Sequence, residues 1–579
     1  MQTVLSTLFK NAQSDFACPF GPFPGTDPRH PRELSNQTND PYRGKIVTPI
    51  IVENLESALT NYDIRLKTEI ISGFKFGFKI GFTGVPRNNA VIQNSPSTFE
   101  FSNATANHFE KEIAANRFIG PFDYPPFDSF QINPINIIPK KEPNKFRVIV
   151  NLPHPEGFSI NNGIPDLYAN VSYSSLSDAI KLIIKCGKDC FLSKSDIKNA
   201  FRNIPVHPSQ HNLLGMTFKN KLYFDVCLPM GLRSSSNIFE KFSTALQFIC
   251  KENGIENIVH YLDDFLIINK SRESCQRDLD TFLSICAYLG VPIAKDKTFQ
   301  PSQVLDFLGY EINTCLEIIK LPLDKINKCI NLLQSFIERK KCKLRELQSL
   351  LGLLMFTTRV VMPGRAFLKR LYAKTANKKP HYFIHFNAQD KADFTVWIHF
   401  LTNYNGISLY KEHFFMNSQT LELYTDSSIS FGCGGVFKNK WFSVAWPSVW
   451  YKEQNITLLE LLPILMSVEN WAPFFANNYL KIFSDNQAIV ACINNHSSNE
   501  KLVMCCIRHL YIMCLKHNIY IAAYHVSGSK NQLTDALSRS QIERFRSLHP
   551  TADLLPSIPQ PLPTSMNCNK KCNYCTPSL

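Results

Sequence analysis

The stretch HYLDDFLII, residues 260–268, sets two aspartates, Asp263 and Asp264, between apolar, strand-like runs. Aspartate is a good turn residue, and a solvated hairpin tip would account for the pair. The flanks argue otherwise: Ile258, Val259, Leu262, Phe265, Leu266, Ile267 and Ile268 would bury such a hairpin on both faces. Two adjacent like charges repel there, and a bound divalent cation relieves the repulsion. Mg²⁺ takes hard oxygen ligands from one or two carboxylates and fills its shell with water and phosphate oxygens. A pair of ions needs a third carboxylate from elsewhere. CFLSKSDIKNAFRNIPV, 190–206, supplies Asp196 at the end of a strand; taken alone, Asp196 would read as a helix N-cap.

A second acidic set lies in the last quarter. LYTDSS carries Asp426 at a strand end, ITLLELLPIL carries Glu460, IFSDNQAIV carries Asp485 and NQLTDALSR carries Asp535. Each has an ordinary explanation. Thr457 and Glu460 fit a capping box, and Asp485 and Asp535 each precede an apolar helical run where an acid favours the helix dipole.

The elements that must position these groups follow from pattern. FKFGFKIGF, 74–82, alternates apolar residues with lysine and glycine and reads as a half-exposed strand. Its glycines lack the Gly-Lys-Ser/Thr of a phosphate loop. NATANHFEKEIAANRFIG, 103–120, has helical spacing and ends at a glycine. NIIPKKEPNKFRVIVNL, 136–152, reads as two strands joined by a basic Pro-Asn turn. Residues 323–374 are helical and basic around ERKKCKLRELQSLLGLLMF, and the pattern weakens over 375–418. A new domain begins at LELYTDSS, with strands over 431–446, a helix from 457, a strand ending at Asp485, a helix over 499–516 and the strand IYIAAYHV, 519–526.

Composition bounds the rest. The 579 residues are 44% hydrophobic, enough for several cores, and length alone suggests three or four domains. Lys and Arg outnumber Asp and Glu by 62 to 48, a net charge of +14 that suits a polyanionic partner. The 18 cysteines are scattered, no secretory leader precedes Lys10, and no run approaches a membrane span. Reduced thiols in an intracellular, non-secreted protein of cytoplasm or nucleus are expected.

SDIKNAF, CLPMGLRSSSNIFEKFS and YLDDFLII resemble, in order and spacing, the palm motifs of reverse transcriptases. AKDKT and LDFLGYEI follow where that family carries a late-palm lysine and a primer-contacting hairpin. From GFKFGFKIGF through HNLLGMTF to LTDALSRSQIERFR, the wording is similar to the polymerase protein of DIRS-type retroelements, over about residues 48–545. The resemblance implies an α+β right-hand polymerase of fingers, palm and thumb followed by an α/β ribonuclease H-like domain. The expected organisation is an irregular leader at 1–47, fingers and palm at 48–312, and thumb and connection at 313–418. The ribonuclease H-like domain follows at 419–540, and a disordered Pro/Cys tail at 541–579.

By the same resemblance, Asp196, Asp263 and Asp264 hold two Mg²⁺, replaceable by Mn²⁺, with the Ile197 carbonyl as a further ligand. Lys140 and Arg147 clamp the incoming deoxynucleoside triphosphate. Phe201 lies beneath its sugar and excludes a 2′-hydroxyl; an ordinary core phenylalanine is the alternative, and its position favours the gate. Lys297 protonates departing pyrophosphate. Met230 departs from the glutamine of retroviral relatives, while Gly231 keeps the backbone positioning. Lys340, Lys341, Lys343 and Arg345 are phosphate-contact candidates on the thumb.

Asp426, Glu460, Asp485 and Asp535 resemble the D-E-D-D set of ribonuclease H, and His525 precedes Asp535 by the ten positions of that family. They imply two further Mg²⁺ and hydrolysis of the RNA strand of an RNA–DNA hybrid, with His525 assisting proton transfer or product release. The implied partners are an RNA template, a DNA primer, their hybrid and deoxynucleoside triphosphates, with no membrane. No Asp-Thr/Ser-Gly protease triplet or His-x-x-Arg recombinase signature is found, so a recombinase would act from a separate chain. Cys568, Cys572 and Cys575 of CNKKCNYC lack a fourth zinc partner at ligand spacing. Two alternatives stand beside this reading: a catalytically idle nucleic-acid-binding relic, and the polymerase of an LTR-type element.

Overall fold

The computed structural model describes residues 46–86, 92–139, 146–155, 157–379, 381–403, 407–409, 421–448, 455–517 and 519–559. The chain forms two units. The first draws on Val85–Asn151 and Pro208–Asp225, the second on Ile46–Gly84, Leu152–His207 and everything from Val226 onward.

In the first unit, strands Phe118–Phe122, Lys221–Asp225 and Gly215–Phe218 form an antiparallel sheet. The helix Ser102–Ala114 packs Phe109 against Phe118, Phe218 and Tyr223. This helix stops near Asn116, whose φ is +56°, earlier than the glycine at 120 expected from sequence. The expected hairpin is present: Ile135–Pro139 pairs antiparallel with Phe146–Val150.

The second unit carries both acidic motifs, each on its own sheet. The first sheet orders β2 (Ile258–Tyr261), β3 (Asp264–Asn269), β1 (Phe191–Asp196) and β4 (Phe299–Ser302). The central strand β3 is fully buried from Phe265 to Ile268, so the apolar run flanking the aspartates does form a two-faced core strand. Helix α1 (Ser235–Glu252) backs it, holding His260 through Glu240 at 3.1 Å. Residues 74–82 do not form a strand. Helix Ile64–Phe76 runs into them and ends at Gly77, whose φ of +88° and close approach to the His207 backbone exclude a side chain. Phe74, Phe78 and Ile80 are buried there all the same, so the alternation marked burial without marking pairing.

Helices α2 (Leu323–Glu338), α3 (Leu344–Thr357) and α4 (Lys369–Thr375) follow. Lys341–Lys343 (β5) interrupts the expected helical run by pairing with Phe383–His385 (β6). The weakly patterned 375–418 contains a full helix, α5 (Ala388–Asn403), packed on α2.

The second sheet is mixed and five-stranded. Its order is β9 (Lys440–Ala445), β8 (Gly432–Phe437), β7 (Leu421–Ser427), β10 (Tyr479–Ser484) and β11 (Tyr520–His525). β7 is antiparallel to β8 and parallel to β10, which is parallel to β11. Helix α6 (Ile456–Phe475) packs on it and is apolar nearly all round. Among the described residues α6 is the one helix long and apolar enough to cross a membrane, a run the sequence reading passed over, and 78% of that stretch is buried inside the protein. It is a core helix by position. Gln487–Asn494 (α7), Lys501–Lys516 (α8) and Gln532–Ser538 (α9) complete the layer. Residues 541–559, expected in a disordered tail, instead form α10 (Ile542–Leu548) and a strap. Phe545 and Ala552 are buried against Val436 and Trp441, and the Trp441 indole donates to the Asp553 carbonyl at 2.8 Å. The leader up to 45 and residues 560–579, with the three tail cysteines, lie outside the described residues.

Candidate active sites

Strand β1 ends where its last residue can reach a neighbour. Asp196 closes β1 and stands in register with Asp264, which opens β3. The turn between β2 and β3 passes through Leu262 at φ +54°, and the Ile197 amide fastens it by donating to the Asp263 carbonyl at 3.0 Å. The three aspartates therefore converge at one end of the sheet. Asp196 is buried, and Lys297 Nζ donates to its Oδ2 at 2.8 Å. Lys194 Nζ lies 4.0 Å from Asp264 Oδ1. Burial, and then the charges of Asp196 and Asp264, push Asp263 up to about 6. Burial also raises Asp264, against the pull of Lys194. Such mutual repulsion in hard oxygen donors fits a divalent cation.

The other expected residues are placed as follows. The Ile197 carbonyl accepts a long 3.4 Å bond from Ala200 N. Phe201 is half-buried on a short 3₁₀ turn, edge-on to the buried Phe239 at 5.4 Å. Gly231 has φ +103°, a conformation that favours glycine, and its carbonyl accepts from Asn161 Nδ2 at 2.9 Å. Met230 beside it is 37% exposed. Lys297 is engaged with Asp196, an ion pair the sequence reading did not foresee. Arg147 is exposed on Phe146–Val150 of the first unit. Lys140 lies outside the described residues.

On the second sheet, Asp426 sits near the end of β7, Glu460 in the first turns of α6, and Asp485 just past β10. One ligand oxygen from each lies within 4.8 Å of the others, the one such trio among the described residues. Asn455, not Thr457, caps α6, so the capping-box reading of Glu460 fails. Glu460 is buried, its Oε2 has no hydrogen-bond partner, and burial followed by the charges of Asp426 and Asp485 pushes it up to about 9. Burial raises Asp426 to about 6, Asp485 and Asp535 adding to the rise, although Ser538 Oγ donates to its Oδ2 at 2.5 Å. An orphaned buried carboxylate oxygen among three converging acids fits a hard divalent cation well.

Asp535, on α9, is drawn elsewhere. Arg539 Nε and Arg544 NH1 reach it at 2.7 and 2.9 Å, and together they outweigh its burial and hold it below the usual carboxylate range. His525 ends β11, exposed, in register with Ser484 and so beside Asp485. Sequence reasoning missed Ser538, Arg539 and Arg544, although all three fall within nine residues of Asp535, at the end of α9 and on α10. It also missed Lys194, two residues before Asp196 on the same face of β1.

Residues 138–312 match the family described as reverse transcriptase (RNA-dependent DNA polymerase). The chain is 23% identical over 399 residues to the retrovirus-related Pol polyprotein from transposon gypsy of Drosophila melanogaster, covering 66% of this chain and 36% of that protein. It is 23% identical over 361 residues to the putative enzymatic polyprotein of Cassava vein mosaic virus, covering 60% of this chain and 52% of that one. The chain thus spans between about a third and a half of these relatives. Among solved structures, a foamy viral protease-reverse transcriptase in complex with double-stranded DNA aligns with a TM-score of 0.47 at 14% identity, over 83% of each chain.

Proposed function

From the reverse transcriptase domain at residues 138–312, we propose that this chain is an RNA-directed DNA polymerase with a linked ribonuclease H, copying the RNA of a DIRS-type retroelement inside the cell. The observation that carries the polymerase reading is the register that sets Asp196 against Asp264, with the buried Asp263 at the same turn. The nuclease reading is supported by the trio Asp426, Glu460 and Asp485 on a mixed five-stranded sheet. The DIRS-type origin rests on the order of the chain's own motifs.

Asp196, Asp263 and Asp264 would hold Mg²⁺ at the first site, and Asp426, Glu460 and Asp485 at the second, with Asp535 beside them. Bound there, such ions lower the pKa of an attacking hydroxyl and neutralise charge on the phosphate undergoing displacement. The chain's own residues do the rest. Strands β1 and β3 fix Asp196 and Asp264 on a rigid sheet, and the turn between β2 and β3 carries Asp263. Lys297 donates to Asp196, and its role as proton donor to departing pyrophosphate is assigned on resemblance. Phe201, braced by Phe239, presents a ring that a deoxyribose passes and a 2′-hydroxyl meets. The exposed imidazole of His525, beside Asp485, serves proton transfer at the second site. Arg147 is assigned to the triphosphate on resemblance alone.

The test is a pair of substitutions in the full chain. With Mg²⁺, a primed RNA template and deoxynucleotides, Asp263→Asn should abolish extension and leave hybrid cleavage intact; Asp485→Asn should do the reverse. Loss of both activities in both variants would refute two separate sites. A wild-type chain inert in both assays would favour the idle relic.

A further inference from the structure

We propose that the β5–β6 ribbon is a docking platform for single-stranded nucleic acid, separate from both acidic sites. The two short strands pair Lys341 with His385, Cys342 with Ile384, and Lys343 with Phe383. Side chains alternate across a strand, so the ribbon has one inner and one outer face. Cys342 and Ile384 are buried and anchor it. Lys341, Lys343, Phe383 and His385 share the other face, and all four are exposed. Tyr382 lies one position before the ribbon; it and Phe383 are each 48% exposed.

The face combines charge with open aromatic rings. Lys341 Nζ lies 4.8 Å from the Phe383 ring centre, and Lys378 Nζ 6.0 Å from that of Tyr382. Glu346 on the following helix offsets this charge only in part, since Arg339 engages it at 3.0 Å and the Lys343 amide at 2.7 Å. Exposed lysines set beside open rings suit a polyanion, and phosphodiesters supply one. The rings narrow the choice. Bases in a duplex are already stacked on one another and gain nothing from an exposed phenylalanine. Every unpaired base offers a π-face, and lysines along the backbone with rings under the bases are how sequence-tolerant single-strand sites are built. The sequence reading placed these lysines on a thumb helix as duplex phosphate contacts; two of them stand instead on a strand ribbon beside aromatics. The inference rests on the polymerase reading only for the source of its ligand, a template not yet copied or a strand freed by cleavage.

The test measures binding of fluorescein-labelled oligothymidylate and of a blunt RNA–DNA hybrid to the full chain by anisotropy, in EDTA and across a salt series. Two double variants separate the contributions: Tyr382→Ala with Phe383→Ala, and Lys341→Gln with Lys343→Gln. Neither alters the buried Cys342 or Ile384, and matching thermal unfolding checks that the fold is kept. Removing the rings should weaken oligothymidylate roughly tenfold, leave its salt dependence unchanged and spare the hybrid. Removing the lysines should lower the slope of log affinity against log salt by about 1.4 for the single strand. Oligothymidylate affinity indifferent to the ring substitutions would overturn the proposal. That includes the case in which the lysine variant weakens both ligands alike, which would make the ribbon a plain phosphate rail. Failure of primer extension by the wild-type chain would sink the polymerase reading and leave these binding results standing.

Discussion

Asp196 and Asp264 face each other in direct register across β1 and β3, two acids at a position where like charges destabilise a strand pair. Lys297, bonded to Asp196, and the more distant Lys194, near Asp264, offset them in part. Without a cation, the site should therefore cost stability, and neutralising one member should recover some of it. Asp263 shows the sign. Below about pH 3 its carboxyl is neutral in both folded and unfolded chains and costs nothing. As pH rises toward 6 the unfolded chain releases the proton while the folded chain retains it, so stability falls; above 6 the folded chain carries the full penalty. Asp263→Asn should then be more stable than wild type at pH 8 in EDTA, on the order of 2 kcal/mol, and nearly equal to it at about pH 3. Denaturant titrations at the two pH values read this, and a full gain that persists at the lower pH would contradict it.

At the second site the prediction concerns protons. With Glu460 pushed up to about 9, the cation-free protein carries a proton there at pH 7. Binding Mg²⁺ must displace it, since a ligating carboxylate is deprotonated. Calorimetric titration in buffers of different ionisation enthalpy should return about one proton released per binding event at pH 7, with affinity rising about tenfold per pH unit up to 9. Glu460→Gln should abolish the buffer dependence and weaken binding. Heats that do not change with buffer in the wild type would show that Glu460 is not a ligand.

Phe201 bears on sugar choice. Its ring is held at 5.4 Å from Phe239, which is fully buried and cannot yield, so the phenylalanine has little room to swing aside. Phe201→Ala should raise the efficiency of ribonucleotide incorporation relative to deoxynucleotide by roughly tenfold or more, by removing a steric rejection. Single-nucleotide extension with matched triphosphates measures the ratio. An unchanged ratio with intact extension would return Phe201 to the role of a core residue.

Much of both acidic sites was legible because each aspartate sits in a short run whose neighbours declare its element: Asp264 opens an apolar strand, and Asp485 follows one. What was not legible depends on partners far along the chain. The Lys297 pairing with Asp196 spans 101 residues and leaves no local mark. The stretch at 541–559 looked like a Pro-rich tail because its two core contacts, Phe545 and Ala552, are too sparse to show a period, while Trp441, which receives them, lies a hundred residues earlier. At 74–82 the alternation was real, yet Gly77 breaks the backbone where a strand would have begun. Pattern reported which side chains are buried; the pairing of backbones was decided by the rest of the fold.

A buried ion pair ties the five-stranded domain to the helix before it. Arg508, on α8, is 2% exposed and reaches back to α5, where its NH1 and NH2 lie 3.2 and 3.4 Å from the two carboxylate oxygens of Asp393. Its Nε donates to the Ala366 carbonyl at 3.2 Å, and Arg370 lies 3.5 Å from Asp393 on the other side. A buried pair of this kind adds little over an apolar substitute, yet removing one partner strands the other's charge. Arg508→Met should thus destabilise the protein by about 3 kcal/mol or more. Combining it with Asp393→Leu should restore much of that loss, because the charge then left without this partner, Arg370, is partly exposed to solvent. Urea unfolding of the two single variants and the double gives the coupling energy directly. A double variant as unstable as the sum of the singles would mean that Arg508 and Asp393 act independently, and that the pair does not pin the two helices.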